Sequence, residues 1–391
     1  MKSRKTMPRS FSVNINNDAL QYAIKTSGYS PKNLSDLIKK RFKVKYFTYD
    51  YLKSLTKGKK KPTYSDLIKI DNFIKRGIPF YLLDEVPKDT FLPKFRRKHK
   101  EVTFSPETEI DLRNYHQLRK EIKYLLDQQD KTYKRILPIH TIKEDPRKIA
   151  HKYRKKLKID TLDYQNLDSR HIFQFIRQKI EKYNIFVFKS PIEDTIRGTI
   201  FLDNKYPALI LINSTDDKNA EIFSLLHEFA HYLLNDEMID NEFTINKADL
   251  KIEKWCNSFA YSFMVKKEDE KKEGFDKVSK ENIFNLDYLS YLSKKYKISK
   301  RAFVYRFYLL NKISLYEYFD YCSSYPYKKT QASGKGGGNY YYTLRNRLSP
   351  SFISLVNDNY VSGNISIKET YDYLKIKDID KIGLLMEVVD S

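Results

Sequence analysis

Ala220-Glu221-Ile222-Phe223-Ser224-Leu225-Leu226-His227-Glu228-Phe229-Ala230-His231-Tyr232-Leu233-Leu234 is the stretch on which the fold turns. Nothing in it breaks a helix, and Phe223, Leu226, Ala230, Leu233 and Leu234 give it an apolar face, so a buried helix is expected. His227 and His231 stand four apart, so both imidazoles leave one face, one turn apart. At that spacing two ring nitrogens reach a single Zn²⁺ at about 2.0–2.1 Å. Glu228 is rotated by roughly 100° about the axis. Its carboxylate then lies beside a metal and not on it, placed to take a proton from an attacking water and return one to a leaving amine. The plainer reading is a core helix with two hydrogen-bonded histidines.

A catalytic zinc keeps three protein ligands and one open position. Downstream, Lys251-Ile252-Glu253-Lys254-Trp255-Cys256-Asn257-Ser258-Phe259-Ala260 also reads as a helix, with Glu253, Cys256, Asn257 and Ala260 on one face. A carboxylate is oddly placed there unless it has work to do. Glu253 is therefore the preferred third ligand, with Cys256 a rival one turn away. The linker over 235–250 is long enough to reverse the chain and pack the two helices together.

These residues, with the run Ala208-Leu209-Ile210-Leu211-Ile212-Asn213 before them, resemble the ImmA/IrrE family of zinc metallopeptidases. The matching pattern is Phe223-x-x-x-His227-Glu228-x-x-His231, then Glu253-x-x-Cys256-Asn257-x-Phe259-Ala260. The resemblance implies a small zincin-like fold, Zn²⁺ held by His227, His231 and Glu253, and Glu228 as general base. It also implies that strand 208–213 lies along the cleft, so that Leu209, Leu211 and Asn213 meet a substrate paired with its edge. Cys256 stands where an Ala is usual, one small residue for another. Leu292 to Ser299 with Arg306-Phe307 is similar to a helical element after the family's core. Gly334 to Tyr342, and Asn364-Ile365-Ser366, are similar to the tail of longer members. Family members inactivate repressor-type regulators of phages, mobile elements or stress responses. The implied function is cleavage of a repressor or antitoxin protein. The alternative is a DNA-binding regulator whose peptidase fold acts by binding alone.

Working toward the N-terminus, Ile185 to Phe188, Gly198 to Leu202 and Ala208 to Asn213 are strand signals, and a small antiparallel sheet is expected. Before it come two helical faces, Ile149, Tyr153 and Leu157, then Ile172, Phe175, Ile176 and Ile180. Residues 91–144 read as a basic helical connector with prolines (Pro93, Pro106), a basic run from Lys94 to Lys100 and a helix over about Asp111 to Asp127. Residues 12–90 read as short helices joined by tight turns. Their apolar stripes are Ala19, Leu20, Ala23 and Ile24; Leu34, Leu37 and Ile38; Tyr46 to Leu55; and Leu67, Ile70 and Ile74. This stretch resembles the helix-turn-helix domain of XRE-type repressors. The resemblance rests on Leu34-Ser35-Asp36-Leu37, Leu55-x-x-Gly58-x-x-x-Pro62-Thr63 and the tail from Gly77 to Leu83. It departs where Leu55 replaces the usual Trp. Lys43, Lys45, Tyr46, Lys53 and Lys57 are the candidate DNA contacts. A bundle kept for docking a protein partner is the alternative.

The expected class is thus α+β and predominantly helical. It comprises a helix-turn-helix bundle (12–90), the connector (91–144), a zincin-like core with a short antiparallel sheet (145–265) and a helical C-terminal region with a Gly-rich loop (266–391). Formal net charge is +23 over 391 residues, and it is uneven. Residues 1–100 carry 25 Lys and Arg against 8 Asp and Glu, whereas residues 201–300 carry 15 against 18. A basic N-terminal quarter beside a nearly neutral segment suggests a DNA surface or an acidic partner; a solubilising lysine face is the plainer account. Two cysteines cannot build a disulfide framework and fit a reducing compartment. With no apolar leader and no run long enough to span a bilayer, a cytoplasmic protein without membrane attachment is expected.

Overall fold

The computed structural model describes residues 11–86, 104–162, 166–192, 194, 196–236, 247–325 and 340–386; over 247–250 it describes the backbone alone. Residues 334–339 of the Gly-rich loop, the basic run 94–100 and Pro93 lie outside the described residues. Tyr340 to Tyr342 open the helix Tyr340–Arg347. The described residues form two compact units, one of residues up to 86 with 104–114, the other of residues from 115 onward.

The first unit is a bundle of the helices Asn17–Lys25, Pro31–Phe42, Tyr49–Thr56 and Tyr64–Ile74, followed by a 3-10 turn, Ile78–Leu82. Each helix starts where a side chain accepts from its first turn: Asn16, Ser30, Thr48 and Thr63. Leu20, Leu34, Ile38, Phe47, Leu52, Leu67 and Ile70 are fully buried and form its core. The third helix begins at Tyr49, three residues later than the apolar stripe suggests, because Thr48 caps it. Tyr46 lies in the turn before it and donates its hydroxyl to the buried Asp66 carboxylate at 2.7 Å.

The second unit is built on three strands, β1 (Ile185–Ser190), β2 (Gly198–Phe201) and β3 (Ala208–Asn213), in the order β1-β3-β2. β3 runs parallel to β1 and antiparallel to β2, so the sheet is mixed and not antiparallel. All three strands are buried on both faces, which is why their sequences are continuous apolar runs without alternation. One face, with Val187, Ile200, Ile210 and Ile212, packs on the helices Ser169–Glu181 and Lys218–Leu234. The other carries Phe188, against Tyr115 (ring centroids 5.6 Å) and Phe352 (5.5 Å), and Phe201, against His116 (6.3 Å). Tyr115 and His116 belong to the helix Pro106–Asp127, and Phe352 to Pro350–Val361.

Buried charges fasten these layers. Arg119 donates to the carbonyl of Pro207 at 2.7 Å and pairs with Asp203 at 2.8 Å, anchoring the β2–β3 turn. Arg177 donates to the carbonyls of Val187 and Asn346, and Glu181 accepts from the amides of Val187 and Ser351. A wholly buried Arg–Glu pair thus ties β1 to the C-terminal helices. Among the described residues no helix is long and apolar enough to cross a membrane.

Candidate metal centre

The motif helix runs over Lys218–Leu234. Asp217 caps it by accepting from the Asn219 amide, and it stops at Asn235, which adopts a left-handed conformation at φ 53°. Apart from Phe223, residues 220–233 are all buried, so this helix passes through the core and is not merely laid on it. Leu225, Leu226, Phe229 and Leu233 are fully buried, each contributing about 1.5–3 kcal/mol. At its start Glu221 is held by Lys189 of β1 and by Lys218 at 2.5 Å. Burial is the main reason the Lys189 ammonium is lowered, to about 8, with Glu221 opposing the fall.

The second helix, Lys247–Met264, packs against it. His227 meets Asn257 while His231 meets Glu253, so the two helices run in opposite directions. The fit is fixed from behind by Phe229 against Phe259 (6.1 Å) and by Trp255, whose indole donates to the carbonyl of Glu144 at 2.8 Å. The result is a triangle of donor atoms. His227 Nε2 and His231 Nε2 are 3.1 Å apart, Glu253 Oε2 is 3.2 Å from the first, and Glu253 Oε1 is 3.3 Å from the second.

Those edges suit one small ion. Ligands about 2.0–2.1 Å from a tetrahedral zinc stand roughly 3.3 Å from each other. The donor set, two imidazoles and one carboxylate, is that of a catalytic zinc with one position open. Among the described residues His227, His231 and Glu253 form a group able to hold a metal; Cys256, buried on the same helix, is not part of it. Both histidines are buried, while Glu253 keeps 21% of its side chain exposed, so the centre opens to solvent on the carboxylate side. Burial alone would raise the Glu253 carboxyl, but the two imidazoles outweigh it and hold it well below the ordinary carboxylate range.

Behind the centre, His227 Nδ1 lies 3.0 Å from Asn257 Oδ1, an acceptor that suits a proton on Nδ1 whenever a metal takes Nε2. On the far side of His231 the Asp236 carboxylate is 3.8 Å from Nδ1. Glu228 is completely buried, next to β2: a Cβ on Gly198 would come within 3.0 Å of Glu228 Cγ and 3.1 Å of Oε1. A glycine at the head of β2 is thus what leaves room for the Glu228 carboxylate.

Residues 180–308, a third of the chain, match the family described as Peptidase M78, the IrrE N-terminal-like domain. That span contains the sheet, the motif helix and the second helix, and it supports the ImmA/IrrE resemblance and a metallopeptidase-type domain there. The match does not include the N-terminal unit or the helices after 308. No curated protein and no solved structure matches the chain.

The remaining candidate residues are placed differently from expectation. Leu209 and Leu211 lie on the sheet face turned away from the motif helix, and β3 is paired along both its edges, so it has no free edge for a peptide. Asn213 is spent within the protein. It accepts from the amides of Ile192 and Thr215 and donates to the carbonyls of Ile192 and Ile196, holding the β1–β2 connection. Leu209, Leu211 and Asn213, the expected substrate contacts, are thus buried within the protein. Lys43, Lys45, Lys53 and Lys57 are exposed on the first unit, while the Tyr46 hydroxyl is occupied by Asp66. Asn257 shares a helix face with Glu253, a signal in the sequence for its place behind His227, whereas Gly198 carries no motif that would mark its place beside Glu228.

Proposed function

We propose that the chain is a zinc-dependent endopeptidase that cleaves a repressor or antitoxin-type DNA-binding regulator. The observation that carries the reading is the triangle of His227 Nε2, His231 Nε2 and a Glu253 carboxylate, with edges of 3.1–3.3 Å and an opening on one side. His227, His231 and Glu253 would hold the metal, which when bound polarises the scissile carbonyl and acidifies a water. Glu228 takes the proton of the attacking water at its carboxylate and delivers a proton to the departing amine nitrogen. Its burial keeps bulk water from competing for that carboxylate. Asn257 holds the Nδ1 proton of His227 and so keeps Nε2 available.

β2 is at an edge of the sheet among the described residues, and its first residue touches Glu228. Its outer edge replaces β3 in this reading as the place where an extended peptide pairs by main-chain hydrogen bonds. The basic first unit then holds an operator or docks the regulator, with Lys43, Lys45, Lys53 and Lys57 exposed for either task. The test is mass spectrometry of the candidate regulator after incubation with wild-type protein and with Glu228→Gln. A new peptide bond break with wild type alone supports the reading. If Glu228→Gln releases the regulator from its DNA as well as wild type does, the protein acts by binding and the peptidase reading is lost.

A further inference from the structure

The motif helix buries every residue from 220 to 233 except Phe223, which is half-buried. Phe223 stands one turn before His227. Its ring stacks beside the imidazole, with centroids 6.5 Å apart and planes inclined by 30°. An apolar ring partly open to solvent thus borders the metal centre directly.

A second set of rings lies along a third helix, Lys300–Leu309. It packs on the ligand helix Lys247–Met264 and runs the opposite way. Phe303 meets Tyr261 (ring centroids 5.9 Å), and farther along the Lys254 ammonium lies 5.9 Å from the Tyr308 ring. At about 100° per residue, Asn257 stands roughly 40° round the ligand helix from Glu253, and Lys254 roughly 100° in the same sense. Glu253 marks the side facing the motif helix, and Lys254 the side facing Lys300–Leu309. Asn257, half-buried, therefore floors a groove between those two helices. Phe223 belongs to its near wall. Tyr305 and Tyr308, both half-buried, make its far wall, braced by Tyr318 of the helix Leu315–Ser324; the three rings lie 5.3–6.5 Å apart. Rings packed on one another hold their apolar faces stiffly, so seating a side chain against them costs little ordering.

Resting on the metal reading above, we infer that this groove is a specificity subsite that takes an aromatic or large aliphatic side chain of the peptide, beside the bond that is cut. The occupant follows from continuity. Phe223 stacks on a ligand of the centre, so a side chain covering that ring belongs to a backbone that passes the metal. Two aromatic walls with a single amide on the floor suit an apolar group with little to hydrogen-bond. Lys254, exposed at the rim over Tyr308, sets a positive charge there and disfavours a lysine or arginine side chain.

The experiment measures binding and not turnover. The full chain, loaded with zinc, is titrated with three dipeptide hydroxamates that share one chelating group and differ in the adjoining side chain: benzyl, methyl or aminobutyl. The benzyl probe is expected to bind roughly 10- to 100-fold more tightly than the methyl probe, and the aminobutyl probe no better than methyl. Phe223→Ala should bring the benzyl probe to within about 3-fold of methyl, and Tyr308→Ala should cut its preference by about 3- to 10-fold, each with zinc content unchanged. If Phe223→Ala loses zinc, Tyr308→Ala decides alone. Tyr316→Ala removes an exposed ring about 200° round the helix from Tyr318 and should leave the preference as it was. Equal binding of benzyl and methyl probes overturns the inference and leaves the metal reading standing. So does a preference unchanged in a zinc-holding Phe223→Ala or Tyr308→Ala, or an equal loss in Tyr316→Ala. A chain that takes up no zinc overturns the metal reading, and the inference with it.

Discussion

Two carboxylates, the buried Asp66 in one unit and the half-buried Glu253 in the other, are both held below their ordinary pKa, and they are held by opposite kinds of partner. Asp66 of the N-terminal bundle accepts from the hydroxyls of Tyr46 (2.7 Å), Tyr51 (2.9 Å) and Thr63 (2.7 Å) and from the Thr63 amide (3.0 Å). Burial would raise its carboxyl; these donors outweigh burial and lower it. Glu253 of the second unit faces two imidazole nitrogens at 3.2 and 3.3 Å. The first set consists of groups that can only complete their hydrogen bonds by staying where they are. The second consists of atoms that are themselves metal donors, gathered at spacings that suit a shared ion. One carboxylate fastens a fold; the other, in the function proposed above, is kept for a ligand.

The largest effects should come from breaking the second arrangement. Glu253→Ala is expected to abolish stoichiometric zinc and with it cleavage, while Trp255 emission, which reports the surrounding core, stays near wild type. Glu228→Gln should retain zinc, measured by elemental analysis, and lose about 10²- to 10⁴-fold in cleavage rate, the usual share of general acid–base catalysis. Zinc loss in the second variant, or zinc retention in the first, would reverse the roles assigned to the two glutamates.

Breaking the first arrangement should be milder and should act on stability alone. Asp66→Ala removes the acceptor of three hydroxyls and one amide and is expected to cost about 2–4 kcal/mol. The loss should appear as faster hydrogen exchange over residues 49–74, with zinc content unchanged. The sign with pH follows from the lowered carboxyl. Its contribution is present above about pH 4 and is lost as pH falls through the folded-state value. Asp66→Asn should therefore flatten the loss of protection that sets in below about pH 4. An unchanged acid limb would show that the hydroxyls do not hold the charged form.

The difference between the two carboxylates also marks what could be read from residues alone. The His227–His231 spacing and the Glu253 face follow from helix periodicity, which is local, and so do the caps Thr63 and Asp217. The strands could be located but not ordered. β1 and β3 are buried on both faces, so their apolar runs carry no alternation from which a face or an edge might be read. That is why β3, which is central, was expected to offer an edge. Tyr46 looked like part of a helix because it is apolar at the right spacing, yet its hydroxyl belongs to Asp66, twenty residues on. Gly198 matters only through a neighbour brought close by folding, Glu228, and no local pattern announces it.

Gly198 allows a finer test of the second site. Its missing side chain leaves the space beside Glu228, where a Cβ would stand 3.0 Å from Cγ. Gly198→Ala should push the carboxylate aside without touching His227, His231 or Glu253. Zinc is expected to remain while the cleavage rate falls by about 10- to 100-fold, the scale on which a misplacement near 1 Å acts. Full activity would mean that the Glu228 side chain shifts freely, and that its close burial against β2 is not part of the mechanism.

The smallest expected effects lie on the exposed lysines of the first unit, and they ask whether that unit does more than fold. Lys43, Lys45, Lys53 and Lys57 are all exposed, on or beside the helices Pro31–Phe42 and Tyr49–Thr56. Lys53 rests its ammonium 5.6 Å from the Tyr49 ring, a contact that leaves it outward and available. If these residues meet phosphates, each lysine-to-glutamine change should lower the slope of log affinity against log salt by about 0.9 and weaken DNA uniformly, whatever its sequence. Gel shifts at several salt concentrations measure this directly. A slope that does not move with Lys53→Gln and Lys57→Gln would leave the basic face as a docking surface for an acidic protein. The regulator itself would then be the partner to titrate, because a fold fastened so firmly at Asp66 presents these lysines in a fixed array to whichever partner carries the opposite charge.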